Sequence, residues 1–268
     1  MNPAAPIGVF DSGVGGLTVL RALTARLPFE ETIYLGDTAR VPYGTRSAEV
    51  VTRYALMAAR HLAGRGIKLL VVACNTVSAQ SLPAVAAALP IPVVGVIEPG
   101  ASAAAAASRG GKIAVLATPG TVASGAYQAA LRRLLPLSQV AARACPLFVP
   151  LAEEGWTDGE VPRLVAERYL ADLRRSGVDT ALLGCTHYPL LASVIAQVLG
   201  PQVAIVDSAE ATAASVASLL EKHGLSRTAV TAPRHRTLCT DMPDRFRAIA
   251  ERFLGRPVDA VELVDMTP

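Results

Sequence analysis

Short apolar runs rich in Val, Ile and Leu alternate along this chain with longer stretches whose apolar residues recur every three or four positions. The short runs read as strands buried on both faces, and the longer stretches as helices with one apolar face. Strands are predicted at 6–11, 32–36, 68–73, 92–97, 112–117, 144–149, 180–184 and 203–206. A ninth short strand at 236–240 and a helix at 243–254 follow in the tail. Strands and helices in strict alternation build parallel sheets joined by crossover helices, so the class is α/β.

The first eight strands fall into two sets of four that can be laid over one another. Ile7-Gly-Val-Phe-Asp11 leads into a glycine-rich turn and a helix ending at Pro28, as Ile113-Ala-Val-Leu-Ala-Thr118 leads into Pro119-Gly120 and a helix ending at Pro136. Gly66 lies eight residues before Cys74, and Gly177 eight residues before Cys185. Each glycine ends a helix whose apolar residues share one face, and each cysteine ends a buried strand. The fourth strands close with an acid, Glu98 and Asp207. The chain therefore reads as an internal duplication with a period of 111 residues. The pattern breaks at Glu98-Pro99-Gly100, which places a boundary between the copies. Two similar α/β lobes put a ligand in the cleft between them, at the carboxyl ends of the strands. Cys74 and Cys185 both occupy such ends.

Composition narrows the partners. The chain has 268 residues, 51% of them hydrophobic, ample for one large domain or two of ordinary size. A net charge of +3 without a Lys/Arg cluster argues against a nucleic-acid surface. No run of about eighteen uncharged apolar residues is present and the start carries no basic segment, so neither a membrane span nor export is expected. Four widely spaced cysteines form neither a disulfide framework nor a zinc module, which fits a cytoplasmic protein. No metal is expected.

Cys74 is followed by Asn75 and Thr76, and Cys185 by Thr186 and His187. A thiol at a strand end before a helix faces backbone N–H groups, which favour its thiolate. A free thiol, with a pKa near ~8.5, is only slightly ionised at neutral pH, so such help matters. His187 is placed to add to it or to shuttle a proton. Cys145 and Cys239 lack this context and read as core residues. Asp11, Ser12 and the glycines after them match neither the dinucleotide nor the phosphate-loop pattern. Asp11 at a strand tip instead suits an ammonium group or a catalytic proton. Asp37 and Glu153 precede the two cysteines, each readable as functional or as a solvated or capping acid.

Five motifs, Phe10-Asp-Ser-Gly-Val-Gly-Gly-Leu17, Gly36-Asp-Thr-Ala-Arg-Val-Pro-Tyr-Gly44, Ala73-Cys-Asn-Thr76, Phe148-Val-Pro-Leu-Ala-Glu153 and Leu183-Gly-Cys-Thr-His-Tyr-Pro189, occur in this order. Together they resemble the bacterial glutamate racemase family, over about Ile7 to Gly255. The resemblance implies two pseudo-symmetric α/β lobes, one discontinuous (1–98 plus 208–268) and one continuous (99–207), with the active site between them. It implies interconversion of L- and D-glutamate without a cofactor, the D isomer feeding peptidoglycan synthesis. Cys74 would take the proton from D-glutamate and Cys185 that from L-glutamate, with Asp11 assisting Cys74, and His187 with Glu153 assisting Cys185. Asp11, Ser12, Tyr43, Gly44, Asn75, Thr76, Thr186 and His187 would bind the substrate, and a homodimer is expected. Two other readings stand beside it: a racemase of aspartate or hydantoins, and a redox protein using the two thiols as a reversible disulfide.

Overall fold

The computed structural model describes residues 2–229, 231–258 and 260–266. Met1 and the last two residues of the tail, which the sequence reading assigns to the first lobe, lie outside them. The strands are β1 (Ile7–Asp11), β2 (Thr32–Gly36), β3 (Leu69–Val72), β4 (Val93–Gly95), β5 (Lys112–Ala117), β6 (Gln139–Ala144), β7 (Thr180–Gly184), β8 (Ala204–Asp207), β9 (His235–Cys239) and β10 (Val261–Leu263). They form two sheets whose described pairings are all parallel, one in the order β10-β9-β2-β1-β3-β4 and one in the order β6-β5-β7-β8. The segment β2-β1-β3-β4 repeats the order of the whole second sheet. That is the duplication read from the sequence, expressed as topology.

The topology also explains where a site can form. From β1 the chain crosses to β2 on one side and then to β3 on the other, so helices leave in opposite directions and a crevice opens at the carboxyl ends of β1 and β3. The second sheet does the same at β5 and β7. Gly66 and Gly177 sit at φ +75° and +73°, the left-handed conformation that ends a helix and turns the chain into β3 and β7. The central strands are buried along their length, as their unbroken apolar character requires.

The helices are α1 (Leu17–Arg26), α2 (Ala48–Ala63), α3 (Asn75–Gln80), α4 (Leu82–Ala88), α5 (Ile97–Ala107), α6 (Pro119–Ser124), α7 (Ala126–Leu134), α8 (Phe148–Glu154), α9 (Glu160–Arg175), α10 (Ala192–Leu199), α11 (Ala209–Lys222) and α12 (Pro243–Leu254). Both α11 and α12 pack on α1, while β9 and β10 extend the first sheet. None of the described helices is long and apolar enough to cross a membrane.

Two expectations change, and one pairing is new. The strand predicted at 144–149 is not one: β6 spans Gln139–Ala144, and Phe148–Glu154 is the helix α8. β6 is a half-buried edge strand rich in alanine, with little β-branched signal, whereas the apolar run after it is the buried face of a short helix. Pro150 is tolerated there because it falls in the first turn, where its missing N–H breaks no helical bond. For the same reason Glu98-Pro99-Gly100 interrupts nothing and lies in the first turn of α5. The pairing of β10 with β9 was not foreseen, since three residues carry too little pattern.

Candidate active site

Asp11 ends β1, Cys74 stands two residues beyond β3, and Thr118 and Cys185 directly follow β5 and β7, so that the two crevices face one another. Between them lies a cavity of about 380 Å³, within the usual range for small-molecule sites. Its lining brings together Ser12, Tyr43, Gly44, Cys74, Asn75 and Thr76 from the first half with Glu153, Cys185, Thr186 and His187 from the second. Neither Lys nor Arg is among the lining residues. Asp11 lies just behind this surface, fully buried. The cavity thus gathers the site residues read from the sequence, with Asp11 immediately beneath.

The two thiols have different surroundings. Cys74 is buried, caps the start of α3, and donates a hydrogen bond to Ser12 Oγ at 3.4 Å. Burial, reinforced by the Asp11 carboxylate, pushes its pKa up to about 12 despite the helix start behind it. The expectation of a favoured thiolate therefore fails at Cys74: desolvation outweighs the backbone dipoles. Asp11 accepts the Gly13 N–H through Oδ2 at 2.8 Å, while its buried Oδ1 has no hydrogen-bond partner among the described residues. Burial raises its pKa as well.

Cys185 precedes a 3-10 turn at Tyr188–Leu191, with its Sγ 3.9 Å from His187 Nδ1. The other ring nitrogen, Nε2, lies 2.9 Å from Glu153 Oε1. Burial alone would keep this imidazole neutral, but its interactions with Cys185 and Glu153 outweigh it and lift His187 to about 10. Glu153 loses solvation in the helix α8, yet its bond to His187 leaves its pKa below the usual value. One thiol thus faces a carboxylate and the other a cation.

The remaining lining is mostly neutral donors. Asn75 Nδ2 donates to Tyr127 Oη at 2.7 Å, and its buried Oδ1 has no hydrogen-bond partner among the described residues. The hydroxyls of Thr76, Thr118 and Thr121 form a closed triangle with edges of 2.9, 3.0 and 3.3 Å. Gly44 accepts the Gly120 N–H at 2.8 Å, and a Cβ there would come within 2.8 Å of Thr118. Asp37 stays outside the cavity: fully buried, it accepts hydrogen bonds from Tyr43 Oη at 2.5 Å, Arg40 at 2.8 Å and Thr240 at 2.8 Å, and so anchors the Tyr43-Gly44 loop.

Sequence reading missed Thr118, Tyr127 and the apolar wall of Val41, Pro42, Val149 and Pro150. Thr118 carried a signal, since the overlay of the two copies sets it opposite Ser12. Tyr127 carried none, because its hydroxyl reaches Asn75 only through the packing of α7 against α5 and α3. Cys145 and Cys239 are buried and outside the cavity lining, as the sequence reading held. Glu98 is exposed and bound to Arg133, and Asp207 Oδ1 accepts the Ala209 N–H, so neither acid belongs to the cavity. Among the described residues, no cluster of three or more His, Cys, Asp or Glu has the disposition to hold a metal ion.

Two free cysteines, one following a strand of each of two parallel sheets of matching order, line one cavity, the layout of an α/β enzyme with its site between two lobes. Residues 7–216 match the Asp/Glu/hydantoin racemase family, and the chain belongs to it. Curated relatives at 46–55% identity over nearly the whole chain are glutamate racemases. The glutamate racemase of Geobacter metallireducens is 55% identical over 98% of both chains. The crystal structure of glutamate racemase from Francisella tularensis in complex with D-glutamate superimposes with a TM-score of 0.92 at 37% identity, covering 98% of both chains. The Thermus thermophilus enzyme in complex with beta-chloro-D-alanine gives 0.89 at 49% identity, with the same coverage.

Proposed function

We propose that this protein interconverts L- and D-glutamate without a cofactor, Cys74 and Cys185 acting on opposite faces of the α-carbon. The observation that carries this reading is the pair of buried free cysteines, one from each sheet, lining one cavity with separate proton partners. The lobes are the segments 1–98 plus 208–268 and 99–207, a division supported by which sheet each strand joins.

In one direction the Cys185 thiolate takes the α-proton of L-glutamate. The electron pair of the broken C–H bond stays on the substrate as a carbanion, and the Cys74 thiol delivers its proton to the other face. Product is D-glutamate, a Cys185 thiol and a Cys74 thiolate, and the reverse reaction exchanges the roles. His187, held cationic by Cys185 and Glu153, stabilises the thiolate state on its side. Cys74, with its pKa raised to about 12, starts as the acid. Asp11 takes up or returns a proton beside it. Ser12 and Asn75 line the cavity on the side of the ammonium group, with the Asp11 carboxylate behind them favouring its charge, and the threonine hydroxyls and backbone N–H groups hold the carboxylates. Neutral donors avoid a deep ground-state well, which would raise the barrier by as much as it tightened binding. The walls of proline and valine keep the carbanion away from water.

A cytoplasmic homodimer supplying D-glutamate for peptidoglycan is the setting we assign. Racemisation assays on D-glutamate and D-aspartate test the substrate: turnover of glutamate supports the reading, and turnover of aspartate alone overturns it. A reversible disulfide between Cys74 and Cys185 after diamide treatment would favour redox chemistry instead.

A further inference from the structure

The helix α12 belongs to the tail, and no residue of it lines the main cavity, yet it touches both members of the His187–Glu153 pair. The rings of Phe253 and His187 meet edge to face, with centroids 5.2 Å apart and an interplanar angle of 80°. Arg252 donates to the backbone carbonyl of Glu153 at 2.5 Å. The Phe253 carbonyl in turn accepts from Arg21 of α1 at 3.3 Å, which fixes the end of α12 against the first sheet's helices. On another side of the imidazole, the backbone of Gly15 comes so near that a Cβ there would lie 2.5 Å from His187 Nδ1 and 2.2 Å from Thr186 Oγ1. Thr18 Oγ1 also donates to the Thr186 carbonyl at 3.2 Å. The imidazole beside Cys185 is therefore held by residues carried on the other sheet.

We infer that Phe253 and Arg252 are positioning residues for the Cys185 side of the reaction: α12 fixes the His187 ring and the Glu153 backbone so that Nδ1 faces the thiol and Nε2 faces the carboxylate. The inference rests on the racemase reading above. Its physical basis is that an imidazole must present both nitrogens at once, so a rotation that leaves it in the cavity still breaks one of the two contacts. A ring packed against one side and a glycine backbone on another remove that rotation. Nothing comparable is needed at Cys74, whose partner Asp11 is fixed by β1 and the Gly13 N–H.

This asymmetry gives the test. Enantiomers have equal free energy, so kcat/KM for the two isomers must fall together in any variant, by about tenfold for a loosened His187. That is less than the roughly hundredfold or more that follows loss of a general acid–base group. The isotope effects do not have to move together. Phe253→Leu keeps apolar volume while removing the ring, and Arg252→Gln changes an exposed side chain with no core cost. In both, we expect the primary isotope effect with α-deuterated L-glutamate to rise, because the Cys185 step becomes more limiting. With α-deuterated D-glutamate it should fall, and more in Phe253→Leu than in Arg252→Gln. Equal changes from both isomers, or unchanged isotope effects, overturn the inference, since a general loosening of the cleft would affect both faces alike. Should Phe253→Leu unfold under the assay conditions, Arg252→Gln alone decides by the same criterion. A wild-type protein without activity on glutamate would instead overturn the racemase reading itself.

Discussion

His187 Nε2 lies 2.9 Å from Glu153 Oε1, joining two residues 34 positions apart that reach the cavity from the turn after β7 and from the helix α8. Because the same ring faces Cys185, the imidazole sits between a sulfur and a carboxylate, both of which favour its charged form. Its folded pKa of about 10 stands above the unfolded value near ~6.5. The sign of the linkage follows. The stability gained from charging His187 is fully present below the unfolded pKa and is lost as pH rises through the folded one. We expect the difference in melting temperature between wild type and His187→Gln to be largest near about pH 6 and to close towards about pH 10. A difference that stayed constant across that range would show that the charge is not what this pair contributes.

Cys74→Ser and Cys185→Ser should each fold and each lose racemisation by at least about a hundredfold, because an alcohol is a far weaker acid than a thiol and each face needs its own proton carrier. Circular dichroism checks the fold and polarimetry the activity. Near-normal turnover in either variant would remove that cysteine from the mechanism. Solvent deuterium exchange into L- and D-glutamate, followed separately in each variant, assigns the faces.

Asp37 illustrates an acid that acts at a distance. Asp37→Ala would leave Tyr43 Oη and Thr240 Oγ1 without their buried acceptor, at a cost of about 1–3 kcal/mol. Since the loop it anchors carries Gly44 to the Gly120 N–H, the kinetic loss should appear chiefly in KM rather than kcat. A fall confined to kcat would place Asp37 in the chemistry instead.

On the side of the first sheet away from the cavity, Lys68 is buried and donates to Glu30 Oε2 at 2.5 Å, to the Pro3 carbonyl at 2.6 Å and to the Leu225 carbonyl at 2.8 Å. Glu30 also accepts the Arg227 N–H, so one ion pair ties the start of the chain and the segment after α11 to β3. Lys68→Ala should cost about 3–5 kcal/mol, because it strands a buried carboxylate. Adding Glu30→Leu to Lys68→Met should recover part of that loss, and the surviving folded protein should racemise at the wild-type rate. Denaturant titration and the activity assay check both halves.

Much of the fold was legible because buried parallel strands write themselves as continuous apolar runs, and helix-ending glycines punctuate them. Gly66 and Gly177 were readable for that reason, and their left-handed backbone agrees. The error at 144–149 has the same origin: an apolar run of that length has no period that separates a strand from the buried face of a short helix. Thr118 was overlooked although the duplication placed it opposite Ser12, because a threonine carries little chemical signal of its own. Phe253 had no signal at all, being indistinguishable in sequence from other apolar residues of α12.

The sequence by itself determined the α/β class, the duplication and the identity of the two thiols, since each depends on local pattern: strand burial, repeated spacing and residue type. Only the tertiary structure decided how the thiols differ. Whether a strand-end cysteine ionises depends on how much solvent it loses and which charges face it. Those are set by residues distant in sequence: Asp11 behind Cys74, Glu153 across from His187, and α12 closing on the imidazole.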